Sequence, residues 1–219
     1  MIYDFLLGFT LLIGIFPWLA FKVKDRPGSD IRPLQPFLVL MAVGSIYELV
    51  ASKLLSVPSK IWFAVYSVLE FAAVLYFFYQ ALQKVSRLYF VMFGVAYISL
   101  LVYFELPHGF LAGLNADGLH AIMATIFVFV SSAIWFKAIF TDMTGSPLLR
   151  SSLFWVVSGL LLYFAGTLYL FIVSDYLIKN PAIDIRRYWI LNIVFNLFLR
   201  IILLVSIWKG QQRLTGYSG

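Results

Sequence analysis

Asn192, Asn196 and Arg200 follow one another at four-residue spacing inside the apolar run YWILNIVFNLFLRIILLVSIW, residues 188–208. On a helix, positions i, i+4 and i+8 share one face. A guanidinium near the centre of a bilayer costs about 2.5–3.5 kcal/mol on insertion scales, so it needs a partner or a water-filled cavity. Two carboxylates, Glu48 and Glu70, lie inside other apolar runs and can supply one. Two carboxylates and one guanidinium cannot pair one to one, and a shared proton would neutralise the excess. Such a group can hold a ligand or an ion, couple to protons, or act only as a buried lock. Intramembrane ionisable residues mark function by default, which favours the site over the lock.

The elements that must position these residues are membrane spans. Hydrophobic residues make up 63% of the chain and charged residues 12%, and mean hydropathy is +0.95. Ordinary soluble domains hold about 45–50% and about 25%. Segments such as MATIFVFVSSAIWF lack the polar face that a soluble helix presents to water. The expected fold is an all-α membrane protein with seven transmembrane helices in a single domain over residues 1–219. The segments fall near 3–22, 37–55, 61–83, 88–105, 119–140, 152–174 and 188–208. Each approaches the roughly 20 residues that cross a bilayer, and the fourth is the shortest.

Basic residues set the orientation. Lys22, Lys24, Arg26, Arg32, Lys84, Arg87, Lys137, Arg150, Lys209 and Arg213 fall on one side, against Lys53, Lys60, Lys179, Arg186 and Arg187 on the other. The richer side is cytoplasmic, which places the N-terminus out and the C-terminus in. The net charge of +6 is this bias, and no nucleic-acid partner is expected. Trp18, Trp62, Trp155, Trp189 and Trp208 lie near segment ends, where amphipathic rings prefer headgroup depth. The outer loops 106–118 and 175–187 carry Pro107, Gly109, Gly113, Asn180 and Pro181 and suit short interfacial helices.

Depth is then a test of the polar set. Glu48 and Glu70 lie about seven and nine residues from the outer ends of their segments, and Asn196 about eight. Arg200 lies slightly deeper, within reach of its own long stem. Faces agree: Gly44, Ser45, Glu48, Ala51 and Ser52 form one stripe, and Tyr66, Ser67, Glu70 and Ala73 another. Small residues let helices approach and hydroxyls bond across them. The proposed centre is Glu48, Glu70, Asn192, Asn196 and Arg200, with Tyr47, Tyr66, Ser67 and His120 in support. Gly159 and Gly166 read as a close-packing seam on the sixth segment, and Pro17 as a kink or end in the first.

Other polar residues carry less. His120 is expected at the interface, although its face through Ala124 and Ser131 can turn to the centre. Lys53 and Lys137 are expected to snorkel. With His108 in a loop and no HExxH, no metal site is expected, and no cofactor. The absence of cysteine removes disulfides and thiol chemistry. The first segment lacks a basic start and a small-residue cleavage site, so it is expected to be a retained span.

An internal repeat is suggested by laying segments two and three over six and seven, which matches Tyr47 with Tyr163 and Trp62 with Trp189. That implies a three-plus-one-plus-three plan, a transporter theme. Seven spans with an outer N-terminus resemble rhodopsins, but retinal needs a lysine within the seventh helix, where this chain has Arg200. Small seven-helix sugar and cation carriers match in size without a shared motif.

FWVVSGLLLYFAGTLYLFIVSDYL (154–177) and RRYWILNIVFNLFLRIILLVSIWKG (186–210) resemble the closing helices of uncharacterised bacterial seven-helix proteins. WFAVYSVLEFAAVLYFFYQAL (62–82) is similar to their third helix and to membrane regions that precede bacterial sensor kinases. The resemblance covers about two thirds of the chain. It implies a bacterial cytoplasmic membrane and a sensory role, and it brings no catalytic motif. The 219 residues hold no kinase or other output domain, so a signal is expected to pass to a separate cytoplasmic or membrane signalling partner. Three functions compete: a receptor for a small-molecule or lipid ligand, a small-molecule or proton-coupled carrier or channel, and an intramembrane lipid enzyme using Glu48 and Glu70. The enzyme ranks last because nucleophile and metal signatures are missing, and catalytic residues are not assigned.

Overall fold

Pro17 explains the first feature of the architecture. It has no N–H to give the carbonyl of Ile13, so a continuous helix cannot pass through it. In the structure, a computed structural model, the first segment is two helices, α1 (Ile2–Ile13) and α2 (Phe16–Val23), joined at Gly14 and Ile15. Pro17 sits in the first turn of α2, where a missing donor is tolerated. Residues 2–23, 29–55, 60–104, 114–141, 148–179 and 185–215 are described, and no strand occurs among them.

A 3-10 turn (Ser29–Leu34) leads into α3 (Gln35–Tyr47), with Pro36 in its first turn. The helix then widens into a π segment, Glu48–Leu54. The Glu48 amide donates to the carbonyls of both Gly44 and Ser45, and the Leu55 amide reaches five residues back to Val50 at 3.0 Å. The sequence reading treats Ser45, Glu48 and Ser52 as one stripe at helical spacing. The wider turn changes that phase after Glu48, and the Ser52 side chain lies outside the described residues. The chain continues as α4 (Lys60–Ala81), α5 (Arg87–Phe104), α6 (Leu114–Thr141), α7 (Ser152–Lys179) and α8 (Ile185–Thr215).

Six helical stretches are long and apolar enough to cross a membrane: Tyr3–Val23, Ile31–Ala51, Trp62–Ala81, Leu119–Thr141, Ser152–Leu170 and Tyr188–Lys209. The fourth segment forms a shorter apolar helix over Arg87–Tyr103. Large apolar side chains such as Phe5, Val91, Ile98, Tyr169 and Phe198 point away from the bundle. So much outward apolar surface fits hydrocarbon rather than water, and the chain is an integral membrane protein. Of the outer loops expected to hold short interfacial helices, 106–113 and 180–184 lie outside the described residues. Residues 114–118 open α6, 175–179 end α7 and 185–187 open α8, so these parts are extensions of the long helices.

Neighbours in sequence are neighbours in space. α3 packs on α2 and α4, α4 on α5 and α6, α6 on α7, and α7 most extensively on α8. α8 returns to α1 and α2 and closes the ring. Lipid offers no hydrophobic drive for this, so close packing must hold it. Gly159 and Gly166 both face α8, as their spacing predicts. A Cβ on Gly159 would lie 2.8 Å from Ile202, and one on Gly166 would overlap the Phe195 ring. At one end of this pair, Trp155 Nε1 and Lys209 Nζ both donate to the Leu149 carbonyl, at 2.9 and 2.8 Å.

Between α4, α5 and α6 the interior is aromatic. Phe71, Phe77, Phe78, Phe90 and Phe127 are buried. Phe71 stacks on Tyr97 at 4.0 Å, and Phe127 meets Phe78 edge to face at 5.8 Å. Such pairs add about 0.5–1.5 kcal/mol beyond their area. Elsewhere aliphatic side chains such as Val156, Leu160, Leu199 and Leu203 fill the interior, and the buried Thr10, Ser45 and Arg200 mark the polar region of the candidate site.

Candidate functional site

Arg200 is 6% exposed, a guanidinium taken almost wholly out of solvent and lipid. It reaches from α8 to two other helices. Nη1 donates to the carbonyl of Thr10 on α1, and Nη2 to Ser45 Oγ on α3 at 3.2 Å. Gly14 makes the approach possible. A Cβ there would lie 2.8 Å from the guanidinium carbon and would overlap Ser45 Oγ. The partners in these bonds are neutral. Nε of Arg200 and Oγ1 of Thr10 are both buried, with no hydrogen-bond partner among the described residues.

Glu48 acts on this cation through charge, and Glu70 reaches the same region through Tyr66 and Tyr163. Glu70, on α4, is half-buried and accepts the Tyr163 hydroxyl from α7 at 3.3 Å. Glu48 opens the π segment and lies close enough to Arg200 and Tyr66 to act on both through charge. Tyr66 is one helical turn before Glu70 and is within the same electrostatic reach of Glu70 and Arg200. Its ring seats on Gly44, where a Cβ would stand 2.7 Å from the ring edge. Trp62 lies 6.1 Å from the Tyr66 ring and stacks on Tyr47 at 4.5 Å, forming an aromatic shelf beside the centre.

α3, α4 and α8, which the stripes nominate, therefore do contribute polar side chains to one region. The hydrogen bonds differ in detail from the simplest pairing. Arg200 is held by a carbonyl and a hydroxyl, and Glu70 by a tyrosine. Asn196 Nδ2 donates to Asn192 Oδ1 at 3.0 Å and to the Asn192 carbonyl at 3.1 Å, so these bonds run along α8. Ser67 Oγ bonds back to the Ala64 carbonyl at 2.9 Å, as mid-helix serines commonly do, and not across to a neighbour. The Ser67 carbonyl instead accepts the Tyr97 hydroxyl at 3.2 Å.

His120 is 5% exposed and lies 5.0 Å from the Tyr97 ring, on the aromatic side of the bundle. It is the second residue of the apolar stretch Leu119–Thr141. Lys137 is exposed near the end of α6. His108 and the Lys53 side chain lie outside the described residues. No cluster of three or more potential metal ligands occurs among the described residues.

Three participants escape the sequence reading: Thr10, Gly14 and Tyr163. Thr10 and Gly14 stand four apart, a polar and a small residue on one face of α1 just ahead of Pro17. That is the same small-and-polar signal used for α3 and α4. Tyr163 gives only a mid-span hydroxyl among many aromatics. Its role depends on α7 standing opposite α4.

No protein family, curated protein or solved structure matches this chain.

Proposed function

We propose that the protein is an integral membrane receptor whose polar centre takes a small-molecule or lipid headgroup ligand and passes the signal to a separate partner. One observation carries the reading. A buried guanidinium on α8 is bonded to neutral acceptors on α1 and α3, and its Nε and the hydroxyl of Thr10 both lack a hydrogen-bond partner among the described residues. A finished structural lock satisfies its buried donors, because an unpaired one costs about 1–3 kcal/mol. Thr10, Glu48, Tyr66, Glu70, Tyr163 and Arg200 are the proposed ligand-facing groups, with Asn192 and Asn196 one to two turns away on α8.

In this reading α5 also crosses the bilayer, giving seven spans with the N-terminus outside. The centre then opens from the outer half. The ring closed by α1 and α2 on α8 supports a single bundle around that centre, and the likeness to membrane regions ahead of sensor kinases supports a signalling partner in a bacterial cytoplasmic membrane. The test is a thermal-shift screen of the purified protein in lipid nanodiscs against small polar metabolites and lipids. A receptor shows saturable stabilisation by one chemical class, lost in Arg200→Gln. No saturable stabilisation by any class counts against the reading.

A second reading is a carrier, favoured by the break between α1 and α2 at the level of Arg200. Discontinuous helices at a central site recur in secondary transporters, as do repeats of the three-plus-one-plus-three kind. Liposome flux driven by substrate or proton gradients, abolished by Glu70→Gln, would establish it.

A further inference from the structure

Two backbone irregularities among the described residues, the α1–α2 joint and the π segment of α3, lie just beyond residues held by Arg200. α1 ends at Ile13, and Thr10 is in its last turn. The Thr10 carbonyl accepts the Gly14 amide at 2.9 Å, which closes that turn, and it also accepts Arg200 Nη1. α3 gives way to the π segment at Glu48, and Ser45 is in its last turn. The Glu48 amide, at the boundary where the π segment begins, is shared between the Gly44 and Ser45 carbonyls, while the Ser45 hydroxyl accepts Arg200 Nη2. Gly14 itself is packed against both the guanidinium and Ser45 Oγ.

We infer that Arg200 couples the α1–α2 joint to the π segment of α3, so that neither changes geometry without the other. Both elements are of a kind that moves. A joint beside a proline is a hinge, and π turns mark places where a helix can shift register. Resolving a π turn into α-helix rotates one side of it against the other by about 100°. That rotation would displace Glu48 relative to Ser45 and pull on the guanidinium. The guanidinium is in turn anchored on the Thr10 carbonyl, one turn before the hinge. α2, beyond the hinge, packs on both α3 and α8 and would follow. A change at the Glu48 end is thus delivered to α2 on the far side of the joint. The coupling stands on this geometry and holds whether the centre serves a receptor, a carrier or neither.

Amide hydrogen exchange on the full chain in lipid nanodiscs tests it. Ser45→Ala removes one bond from the guanidinium and breaks no hydrogen bond of the π segment. It also removes the Oγ that packs on Gly14, so the Arg200→Leu arm, which keeps that contact, decides whether the guanidinium carries the coupling. It is expected to speed exchange about tenfold or more both at residues 48–55 and across the joint at 13–19, since bonds to charged groups are the stronger ones. Gly14→Ala is the sharper variant. Alanine favours helix at the joint, yet its Cβ displaces the guanidinium, so exchange at 48–55 should rise on a different helix. Tyr89→Phe, on the aromatic side, is the control and should change neither segment. The inference is overturned if Ser45→Ala alters only α3, or if Gly14→Ala alters only α1 and α2. Both substitutions are small, and Arg200→Leu adds a third arm in which both segments should loosen together.

Discussion

The two sides of the bundle interior solve burial differently. Between α4, α5 and α6 the chain fills space with phenylalanine and tyrosine rings, and the polar contacts described there are between neutral groups: Tyr89 with Ser131 at 2.9 Å and the Tyr97 hydroxyl donating to the Ser67 carbonyl at 3.2 Å. Among α1, α3 with its π segment, α4, α7 and α8 a cation, two carboxylates and four hydroxyl groups, those of Thr10, Ser45, Tyr66 and Tyr163, lie in one region, and the cation is incompletely bonded. A membrane bundle gains little from hydrophobicity between its helices, so rings and close glycine contacts suffice to hold it. Placing ionised groups in the other half costs stability that the aromatic half shows to be avoidable. The proposed ligand-binding role would account for that asymmetry.

The largest expected effect tests the asymmetry directly. Arg200→Leu should lower stability by about 3–5 kcal/mol, as removing one charge from a buried set does. Adding Glu70→Gln should recover part of the loss in thermal melts of nanodisc samples. A silent Arg200→Leu, in both stability and ligand response, would erase the distinction between the halves. Phe127→Ala comes next. Its ring meets Phe71, Phe78, Phe90 and Phe93, so its loss should cost about 3 kcal/mol while leaving any ligand-induced shift in place. If the shift disappears with the ring, the aromatic half belongs to the site.

Smaller contrasts sharpen the boundary. Tyr163→Phe strips the donor from Glu70 and should cost about 1 kcal/mol, the usual scale for hydrogen bonds between membrane helices. It should also weaken ligand response, read as a rightward move of the thermal-shift titration. Tyr89→Phe should cost about 0.6 kcal/mol through the lost Ser131 bond and leave that titration unmoved. Equal effects of the two substitutions on the titration would place the boundary elsewhere.

Much of the fold is legible because lipid imposes simple rules. Twenty-residue apolar runs must be helices, since no other single segment satisfies its backbone in hydrocarbon. Gly159 and Gly166 announce a helix contact by size alone, and Pro17 announces a break through its missing N–H. The π segment at Glu48 is not legible. ELVASKL carries no residue that forbids α-helix, so nothing local marks the widening. The partners of Arg200 are hidden for a related reason. Its acceptors are a backbone carbonyl, which every residue has, and a serine on a helix 155 positions away in the chain. Glu70 likewise attracts a carboxylate–guanidinium reading, whereas the tyrosine that bonds it comes from α7.

The sequence by itself determined that this chain lives in a membrane, where its long helices run, and that Glu48, Glu70 and Arg200 are its costly residues. These follow from composition and period, which act locally. Tertiary structure alone decided which neutral groups hold Arg200, which hydroxyl Glu70 accepts, and that His120 joins the aromatic side. Those outcomes depend on the order and rotation of helices around the ring. Rotation is set by the summed fit of many small van der Waals contacts, and no single residue pattern encodes that sum.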